Sequence, residues 1–536
     1  MFPVTPASAH DEWQILAELA RAEVNITELL TNEQDRARHL TASIGDCHLD
    51  LSRQSFDFAT WHELCNFARV RGLPDALKAW FYGKQVNLSE ERAACHQLYR
   101  HNPQASQDSF SASAWRIAEW PRSALDEFLR MQEMAAQIRS GEWTNSRGKP
   151  LTTIVNIGIG GSHMGIEAAY QALAPYHLPE RRCIFIANID PLASFQALQG
   201  LDLTSCAVVF SSKSGTTLES RANFSALLQA FATQGISAPA RHLFGVSANP
   251  QALQQQGIPA TQIFTIPDSI GGRYSLFSPI GFALACSVEP DALDDMRQGA
   301  AAMDAHTIQS DIENNLPVLL ALASLWQHAV KGVQQHAILA YSHALRGIVQ
   351  HLQQLMMESN GKCLAQNGAP APPSGEVIWG GENTNGQHSY FQLLHQGNRP
   401  QHCDMLIFAR SLVGNQAMQD DLNAMALGQA QALCYGNRQH DDARRATCGN
   451  VPLSLIVCKQ LDAYTLGLLL ALYENRTIAH AALLGINPFD QWGVEYGKAC
   501  AGKMAKLLHG EATGTELDAG LGRVVQTIRT WRGTAA

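Results

Sequence analysis

The sequence contains two side chains suited to proton transfer, Glu358 and His388, in segments that follow one another along the chain. A carboxylate and an imidazole are the groups best suited to move protons on a neutral substrate at neutral pH. Glu358 precedes the helix-ending pair Asn360-Gly361, where a carboxylate opposes the helix dipole and gains no stability. Taken alone, each residue also has a structural interpretation, a solvated helix-end glutamate and a hydrogen-bonding histidine. Together they suggest acid–base chemistry.

Two cationic side chains lie in glycine-containing segments. Arg273 lies in Gly271–Ser275. Its guanidinium could either stabilise a developing oxyanion or form a surface or domain-bridging ion pair. Lys498 ends the segment Phe489–Lys498, and a lone lysine is usually solvated. Neither cation is decisive by itself.

Two turns rich in glycine and hydroxyl side chains predict an anion site. The first, Gly158–Ser162, offers Gly161 for close backbone approach and the hydroxyl of Ser162. The second concentrates hydroxyls and one ammonium in the residues Ser212, Lys213, Ser214 and Thr217. Each turn follows an apolar run and precedes a helical stretch, so free N–H groups and the helix dipole would face an anion. Simple capping of that helix is the alternative. A phosphate cradle with acid–base groups predicts proton chemistry on a phosphorylated small molecule.

The elements that must position these residues follow from hydrophobic patterning. From about residue 150 short apolar runs alternate with helical stretches, which predicts parallel sheets covered on both faces. We predict strands at 152–157, 183–189, 207–211, 242–246, 262–266, 337–341, 377–379, 405–409 and 453–457. A helical stretch at about 290–332 separates two such runs and indicates an α/β fold with two doubly wound αβα sandwich domains.

The predicted organisation has four parts. Residues 1–120 form a helical N-terminal region, 121–290 the first αβα domain, 291–500 the second, and 501–536 a helical C-terminal arm. In the first part, Asn87–Glu90 is typical of a capping box and predicts a helix that runs to about Arg100.

Composition excludes several classes of protein. A net charge of -9 over 536 residues gives no support for wrapping nucleic acid. The start of the chain has no basic segment before an apolar one, so we expect no secretory signal. The most apolar run, Ala463–Tyr473, is too short to span a membrane. The 12 cysteines form no C-x-x-C pair, which suits reduced, mostly buried thiols. We therefore expect a cytoplasmic enzyme without membrane segments.

Taken together, these segments resemble the glucose-6-phosphate isomerase (phosphoglucose isomerase) family. The resemblance spans about residues 45–505. Besides the two turns it rests on segments that recur in family order and spacing: Gly271–Leu276, Met357–Lys362, Thr384–His388, Gln392–Gly397 and Ile486–Lys498. Asn87–Arg100 is similar to the family's N-terminal signature.

The resemblance implies a fold, a reaction and an assembly. The fold would be two αβα domains of the sugar-isomerase (SIS) type, with a helical N-terminal region and a C-terminal arm. The substrate would be a phosphorylated hexose, and the reaction the interconversion of glucose 6-phosphate and fructose 6-phosphate without metal or cofactor. The assembly would be a homodimer with a shared active site, to which His388 comes from the neighbouring subunit.

The resemblance also assigns residue roles. Glu358 would shuttle a proton between C2 and C1 through a cis-enediol, and Arg273 would stabilise the enediolate. His388 and Lys498 would assist opening and closing of the sugar ring. Other positions would hold the substrate. Its phosphate would be bound by Gly161, Ser162, Ser212, Lys213, Ser214 and Thr217. Its sugar would be contacted by Gln354 and Gln491.

Several positions depart from the family's usual pattern, among them Phe277 and Pro279, which replace commoner residues after Arg273. Ser214-Gly215 stands where a threonine and a bulky residue are usual, which predicts a looser phosphate turn. Gly380-Gly381-Glu382-Asn383-Thr384 stands where Gly-Glu-Pro-Gly-Thr is commoner, which shifts the acidic residue by one, removes the proline and predicts a changed loop before His388. No catalytic side chain is lost.

Three alternatives belong to other classes or reactions. A non-catalytic sugar-phosphate sensor would need the second turn, but not Glu358, Arg273, His388 and Lys498 together. A nicotinamide-dependent enzyme is disfavoured because the first turn lacks the third glycine of the dinucleotide fingerprint. Another phosphosugar isomerase remains open, whereas an aminotransferase is disfavoured because no cysteine stands at position 2.

Overall fold

The computed structural model describes residues 2–101, 122–511 and 517–533, in two compact units, Met1–Phe489 and Asp490–Ala536. The strands all lie in the first unit and are β1 Thr41–Ile44, β2 Cys47–Asp50, β3 Thr153–Ile157, β4 Arg182–Ile186, β5 Cys206–Ser211, β6 Leu243–Ser247, β7 Ile263–Thr265, β8 Gln335–Ala340, β9 Val377–Glu382, β10 Gln401–Arg410 and β11 Leu453–Gln460.

The α-helices of the first unit are Asp11–Leu19, Ile26–Asn32, Arg36–His39, Phe58–Val70, Leu73–Phe81, Arg122–Ser140, Met164–Ala172, Pro191–Leu198, Leu218–Thr233, Pro250–Gln254, Phe282–Ser287, Pro290–Gln309, Leu316–Ser324, Ile348–Leu352, Phe391–Gln396, Gln416–Tyr435 and Ala463–Leu484. The second unit contains the helices Glu495–His509 and Ala519–Trp531. Together with the parallel sheets described next, they confirm the predicted α/β fold class.

The first sheet consists of parallel strands in the order β4-β3-β5-β6-β7. Every residue of β3 and β5 is buried, as expected for strands covered on both faces. The chain leaves β3 toward β4 on one side and returns to β5 on the other, so the order of the strands reverses between β3 and β5. Ligands of such sheets bind at this reversal, beyond the carboxyl ends of the strands.

The second sheet has the order β1-β2-β11-β10-β8-β9. Strands β8 to β11 are parallel, and the hairpin β1–β2 adds antiparallel to β11, with Leu49 opposite Ile456. The prediction of a helical N-terminal region with few strands missed this hairpin. In β2 the alternation of buried and more exposed residues covers only the four residues Cys47–Asp50. So short a strand depends on pairing with a distant strand, which the sequence pattern does not show.

The prediction of a helix from Asn87 to about Arg100 was wrong. The structure has a 3₁₀ turn at Leu88–Glu90, which ends at Glu91 with φ +52°, and a second 3₁₀ turn at His96–Arg100. The side-chain oxygen of Asn87 accepts a hydrogen bond from Asn487 Nδ2 at 2.9 Å instead of one from a helix N–H. A tertiary contact therefore replaces the local cap.

A buried helix, Ala463–Leu484, lies in the largest core. It begins at Asp462, whose side chain accepts from Thr465 N–H at 2.8 Å, and ends at Gly485 with φ +79°. Each fully buried leucine in it contributes roughly 1.5–3 kcal/mol relative to an exposed one. Among the described residues, no helix is long and apolar enough to cross a membrane.

The cysteines agree with the prediction of reduced, mostly buried thiols. None of them is in a disulfide, and only Cys363 and Cys448 are exposed, with Cys500 intermediate. The other nine are buried in the strands, helices and turns of the first unit.

Candidate active site

Glu358 ends a helical segment that begins after β8. The α-helix Ile348–Leu352 changes into a π-helical turn over Gln353–Glu358, and helical backbone stops before Gly361, as predicted. Such π turns are rare in proteins as a whole, and those that occur are often found at functional sites. The Lys362 ammonium donates to the carbonyls of Glu358 and Ser359 at the end of this helical segment, each at 2.9 Å. A cation thus offsets the negative end of the dipole beside the carboxylate.

The Glu358 carboxylate is partly exposed and has two recorded neighbours in the first unit. Arg273 Nη1 lies 3.4 Å from Glu358 Oε2, and Gln354 Nε2 donates to the same oxygen at 3.1 Å. The Glu358 side chain is 25% exposed, whereas that of Arg273 is 1% exposed. The carboxylate is therefore accessible to a small molecule while its cationic neighbour is fixed in the protein.

Arg273 is held by residues that the sequence analysis did not single out. Its Nε donates to Ser359 Oγ at 2.6 Å and its Nη2 to the Pro488 carbonyl at 2.5 Å. The Tyr274 hydroxyl lies 2.9 Å from Ser359 Oγ. Tyr274 directly follows Arg273 in the sequence, and Ser359 directly follows Glu358. This adjacency is the feature of the sequence that could have indicated them as site residues.

The first predicted anion turn lies directly against the Arg273 loop. A Cβ atom added to Gly161 would lie 2.1 Å from the backbone C and O of Gly272, so only glycine permits this approach. The Ser275 hydroxyl lies 3.3 Å from the Gly161 carbonyl, within reach to donate to it. Gln354 reaches the same turn, because its Nε2 would lie 3.0 Å from a Cβ at Gly160.

The second predicted anion turn, Ser212–Thr217, follows β5, the neighbour of β3 in the sheet. Both turns therefore lie at the reversal of strand order described above. Ser212 Oγ and Thr217 Oγ1 lie 3.0 Å apart, and Ser214 Oγ accepts from Thr216 N–H at 3.2 Å.

Capping does not explain the hydroxyl residues of either turn. The helices Met164–Ala172 and Leu218–Thr233 both begin without a side-chain hydrogen bond at the N-cap, at His163 and Thr217. Two adjacent helix N-termini thus direct N–H groups that their caps leave unsatisfied toward the same region, an arrangement suited to phosphate.

Lys213 connects the second turn to the Arg273 loop. Its ammonium donates to the carbonyls of Asp268 and Ile270, at 2.8 and 2.9 Å. Burial, reinforced by repulsion from Arg92, lowers the pKa of Lys213 to about 8. The ammonium is thus committed to the loop that carries Arg273.

His388, Gln491 and Lys498 complete the set of predicted site residues, and each is described in its own unit. His388 is exposed at the end of the 3₁₀ turn Asn385–His388, and within the described part of the first unit no hydrogen bond or ion pair joins it to Glu358. Gln491 and Lys498 belong to the second unit. Gln491 precedes the 3₁₀ turn Trp492–Val494, and Lys498 Nζ lies 2.7 Å from Glu495 on its own helix.

Another group of titratable residues lies on β8, β10 and the buried helix and at the residue before β9. We call it the buried ion cluster, and its members are His336, Glu376, His402, Asp404 and Arg476. Ligand atoms of three members, the two histidines and Glu376, lie within 4.8 Å of one another. Arg476 Nη2, however, donates to Glu376 Oε2 at 2.5 Å, and His336 Nε2 lies 3.1 Å from Asp404 Oδ2.

Charge balance assigns the buried ion cluster a structural role. Burial alone would lower the pKa of His336, but the carboxylates of Asp404 and Glu376 raise it to about 9. Burial works to raise the pKa of Glu376, yet Arg476 and His336 hold it well below its usual range. Two cations then face two carboxylates inside the core, and a divalent cation would leave Arg476 repelled.

Comparisons with known proteins identify relatives along nearly the whole chain. The profile of the phosphoglucose isomerase family matches residues 50–522. Glucose-6-phosphate isomerase of Shewanella pealeana is 35% identical over 540 residues, covering 96% of this chain and 97% of that protein. Glucose-6-phosphate isomerase of Roseiflexus castenholzii is 35% identical over 542 residues, covering 98% of both.

A solved structure gives the same result. The crystal structure of a glucose-6-phosphate isomerase from Chlamydia trachomatis aligns with a TM-score of 0.85 and 29% identity, over 99% of this chain and 100% of that one. The profile match covers most of the sequence, and the relatives match along nearly their whole length. The chain therefore belongs to the phosphoglucose isomerase family.

Proposed function

We propose that this protein interconverts glucose 6-phosphate and fructose 6-phosphate, a step of glycolysis and gluconeogenesis, with Glu358 as the group that moves the proton. The observation that supports the assignment is the position of the Glu358 carboxylate. It is partly exposed, 3.4 Å from the buried guanidinium of Arg273, and linked through Gln354 to the first anion turn.

The chemistry follows from what each group offers. Glu358 takes the proton from the carbon next to the carbonyl, C2 of the aldose, and returns it to C1 of the cis-enediol. Negative charge develops on oxygen in this step, and the Arg273 guanidinium is the donor that stabilises it. Because one carboxylate serves both carbons, the base returns to its starting charge after each turnover.

The phosphate is the handle that fixes orientation. The hydroxyls of Ser162, Ser212, Ser214 and Thr217, with the backbone of Gly161 and the N-termini of two helices, supply donors for its oxygens. Lys213 adds positive charge beside them and fixes the Arg273 loop. Binding energy from a group remote from C1 and C2 is then available to position the reacting carbons.

Ring opening is assigned to His388 and Lys498, and sugar contacts to Gln354 and Gln491. We propose that the protein is a cytoplasmic homodimer in which the His388 of each subunit completes the site of the other. The exposure of His388 and its lack of a recorded bond to Glu358 in the described first unit support this arrangement. We also propose 121–290 and 291–500 as the two sugar-isomerase domains, since the parallel strands fall within these bounds.

The base assignment is tested with Glu358→Gln in a coupled assay of fructose 6-phosphate conversion. We expect turnover to fall by at least about 10³-fold, because an amide cannot accept the proton, while calorimetric binding of fructose 6-phosphate persists. Glu313→Gln is the control, since Glu313 is a surface partner of Arg69. Near wild-type turnover in Glu358→Gln would remove Glu358 as the base.

The shared site is tested by mixing two inactive variants, Glu358→Gln and His388→Ala. If His388 acts in the neighbouring subunit, a mixed dimer has one intact site, and random exchange restores about one quarter of wild-type activity. If His388 acts within its own chain, every site keeps one substitution and the mixture stays inactive. Light scattering of each variant checks that both remain dimers.

A further inference from the structure

We propose that Ser359, together with Tyr274, is a positioning residue that fixes the direction of the Arg273 guanidinium. The proposal rests on the proposed function, in which Arg273 stabilises charge near Glu358. It concerns two side chains that have no part in the proposed proton transfer or phosphate binding. It is carried by a closed ring of hydrogen bonds formed by Arg273, Ser359, Tyr274 and the Pro488 carbonyl.

The donors in the ring can be assigned in only one complete way. The Pro488 carbonyl accepts from Arg273 Nη2 at 2.5 Å and from the Tyr274 hydroxyl at 3.4 Å. Because Tyr274 gives its one proton to this carbonyl, the Ser359 hydroxyl donates to the Tyr274 oxygen, at 2.9 Å. The Ser359 oxygen then accepts from Arg273 Nε at 2.6 Å, and the ring closes.

The ring is held from outside by packing. Ser359 is 0% exposed, Tyr274 1% and Arg273 3%. The ring of Tyr274 stacks on His96, with centroids 4.5 Å apart. Burial, with repulsion from Arg100 and Arg273, lowers the pKa of His96 well below its usual range, so a neutral imidazole covers the tyrosine. Burial and stacking therefore hold the Tyr274 side chain against the Ser359 hydroxyl.

The consequence for Glu358 is a limited contact with Arg273. A free guanidinium and a carboxylate usually form two parallel hydrogen bonds, which hold the carboxylate in its charged form. Here Nε and Nη2 are committed to Ser359 and Pro488, and Nη1 meets Glu358 Oε2 only at 3.4 Å. The ring therefore keeps the cation near the reacting carbons while leaving the carboxylate able to accept a proton.

The test compares Ser359→Ala with Ser287→Ala. Ser287 is also fully buried, but its hydroxyl donates to Ala283 O at 2.7 Å within its own helix. We expect Ser359→Ala to lower kcat about 10- to 100-fold, the scale expected for a misplaced reacting group, with KM changed less than about threefold. The acidic limb of its pH profile should move to lower pH, because a released guanidinium pairs more closely with the carboxylate.

A second variant opens the ring at another point. Tyr274→Phe keeps the stacking on His96 and removes one hydroxyl, and we expect kcat to fall about 3- to 10-fold with the same direction of pH shift. It carries the test if Ser359→Ala does not fold. Unchanged kcat and pH profile in the folded variants would overturn the proposal, as would equal losses in Ser287→Ala. Glu358→Gln in the same assay separates the two ideas, since its activity alone decides the base.

Discussion

The buried ion cluster and the candidate active site, both in the first unit, differ in how the charges of their carboxylates are compensated. In the buried ion cluster, Glu376 is 4% exposed and accepts from Arg476 at 2.5 Å. At the candidate active site, Glu358 has a side chain that is 25% exposed and lies 3.4 Å from its guanidinium neighbour. The first carboxylate is closely paired inside the core, whereas the second is open to solvent and only loosely paired.

The difference teaches that residue types alone do not separate structure from chemistry. Both groups contain the side chains that perform acid–base catalysis, and in the buried ion cluster the pKa of His336 is raised and that of Glu376 is lowered by their charged neighbours. Shifted pKa values mark functional sites only on average, because structural ion pairs produce them too. Solvent access and the incomplete pairing of Glu358 are the features that identify the site.

The largest expected effect separates the two glutamates by stability. Glu376→Gln leaves Arg476 and His336 facing a neutral amide in the core, and we expect a loss of about 3–5 kcal/mol in the free energy of unfolding. Glu358→Gln should change it by less than about 1 kcal/mol, because the lost attraction to Arg273 is weak at 3.4 Å and is offset by removal of a negative charge from a helix C-terminus. Urea unfolding followed by circular dichroism measures both, and similar losses would contradict the comparison.

The first anion turn illustrates what the sequence could predict. Gly158–Ser162 and Ser212–Thr217 each follow an apolar run and precede a helix, and patterns of this kind are local. The strands before them were therefore predicted to within a few residues, as was the end of the Glu358 helix. The parallel order then brings both turns to one edge of the sheet without further information.

Long-range contacts account for what could not be predicted. Asn87 lies in a segment typical of a helix N-cap, but its side-chain oxygen accepts a hydrogen bond from Asn487. A contact between residues so far apart in sequence cannot be predicted from a local pattern. The Ser359 ring depends on the Pro488 carbonyl, and a backbone atom carries no sequence signal. The buried ion cluster combines β8, β10 and a distant helix, so its members have no shared spacing.

The next largest effect is the pH dependence of stability that arises from His336. Its pKa is about 9 in the folded protein against an ordinary value of 6.5, so the charged form stabilises the fold. The contribution of about 3 kcal/mol is fully present below pH 6.5 and is lost as pH rises through 9. Urea midpoints between pH 6 and 9.5 measure it.

His336→Gln provides the control for this pH dependence. Its stability should be lower at pH 6.5 and flatter across the same interval, whereas Glu358→Gln should keep the wild-type slope. An unchanged slope in His336→Gln would show that the buried ion cluster does not hold a protonated imidazole, and the comparison with Glu358 would lose its electrostatic basis.

The smallest expected effect concerns the phosphate turn Ser212–Thr217, where a substitution should change substrate binding more than the stability of the fold. Gly215 has φ +70°, and a Cβ there would lie 2.8 Å from Ala252 Cβ and 2.9 Å from Leu253 Cδ1, so the turn is fitted rather than loose. Gly215→Ala should therefore displace the phosphate turn and raise KM about 3- to 10-fold, with a stability loss of about 1 kcal/mol. Gly235→Ala is the matched control, since Gly235 has φ +74° with nothing within 4 Å of its Cβ position. It should lose similar stability at unchanged KM, and equal KM values in the two variants would show that the turn does not hold the phosphate.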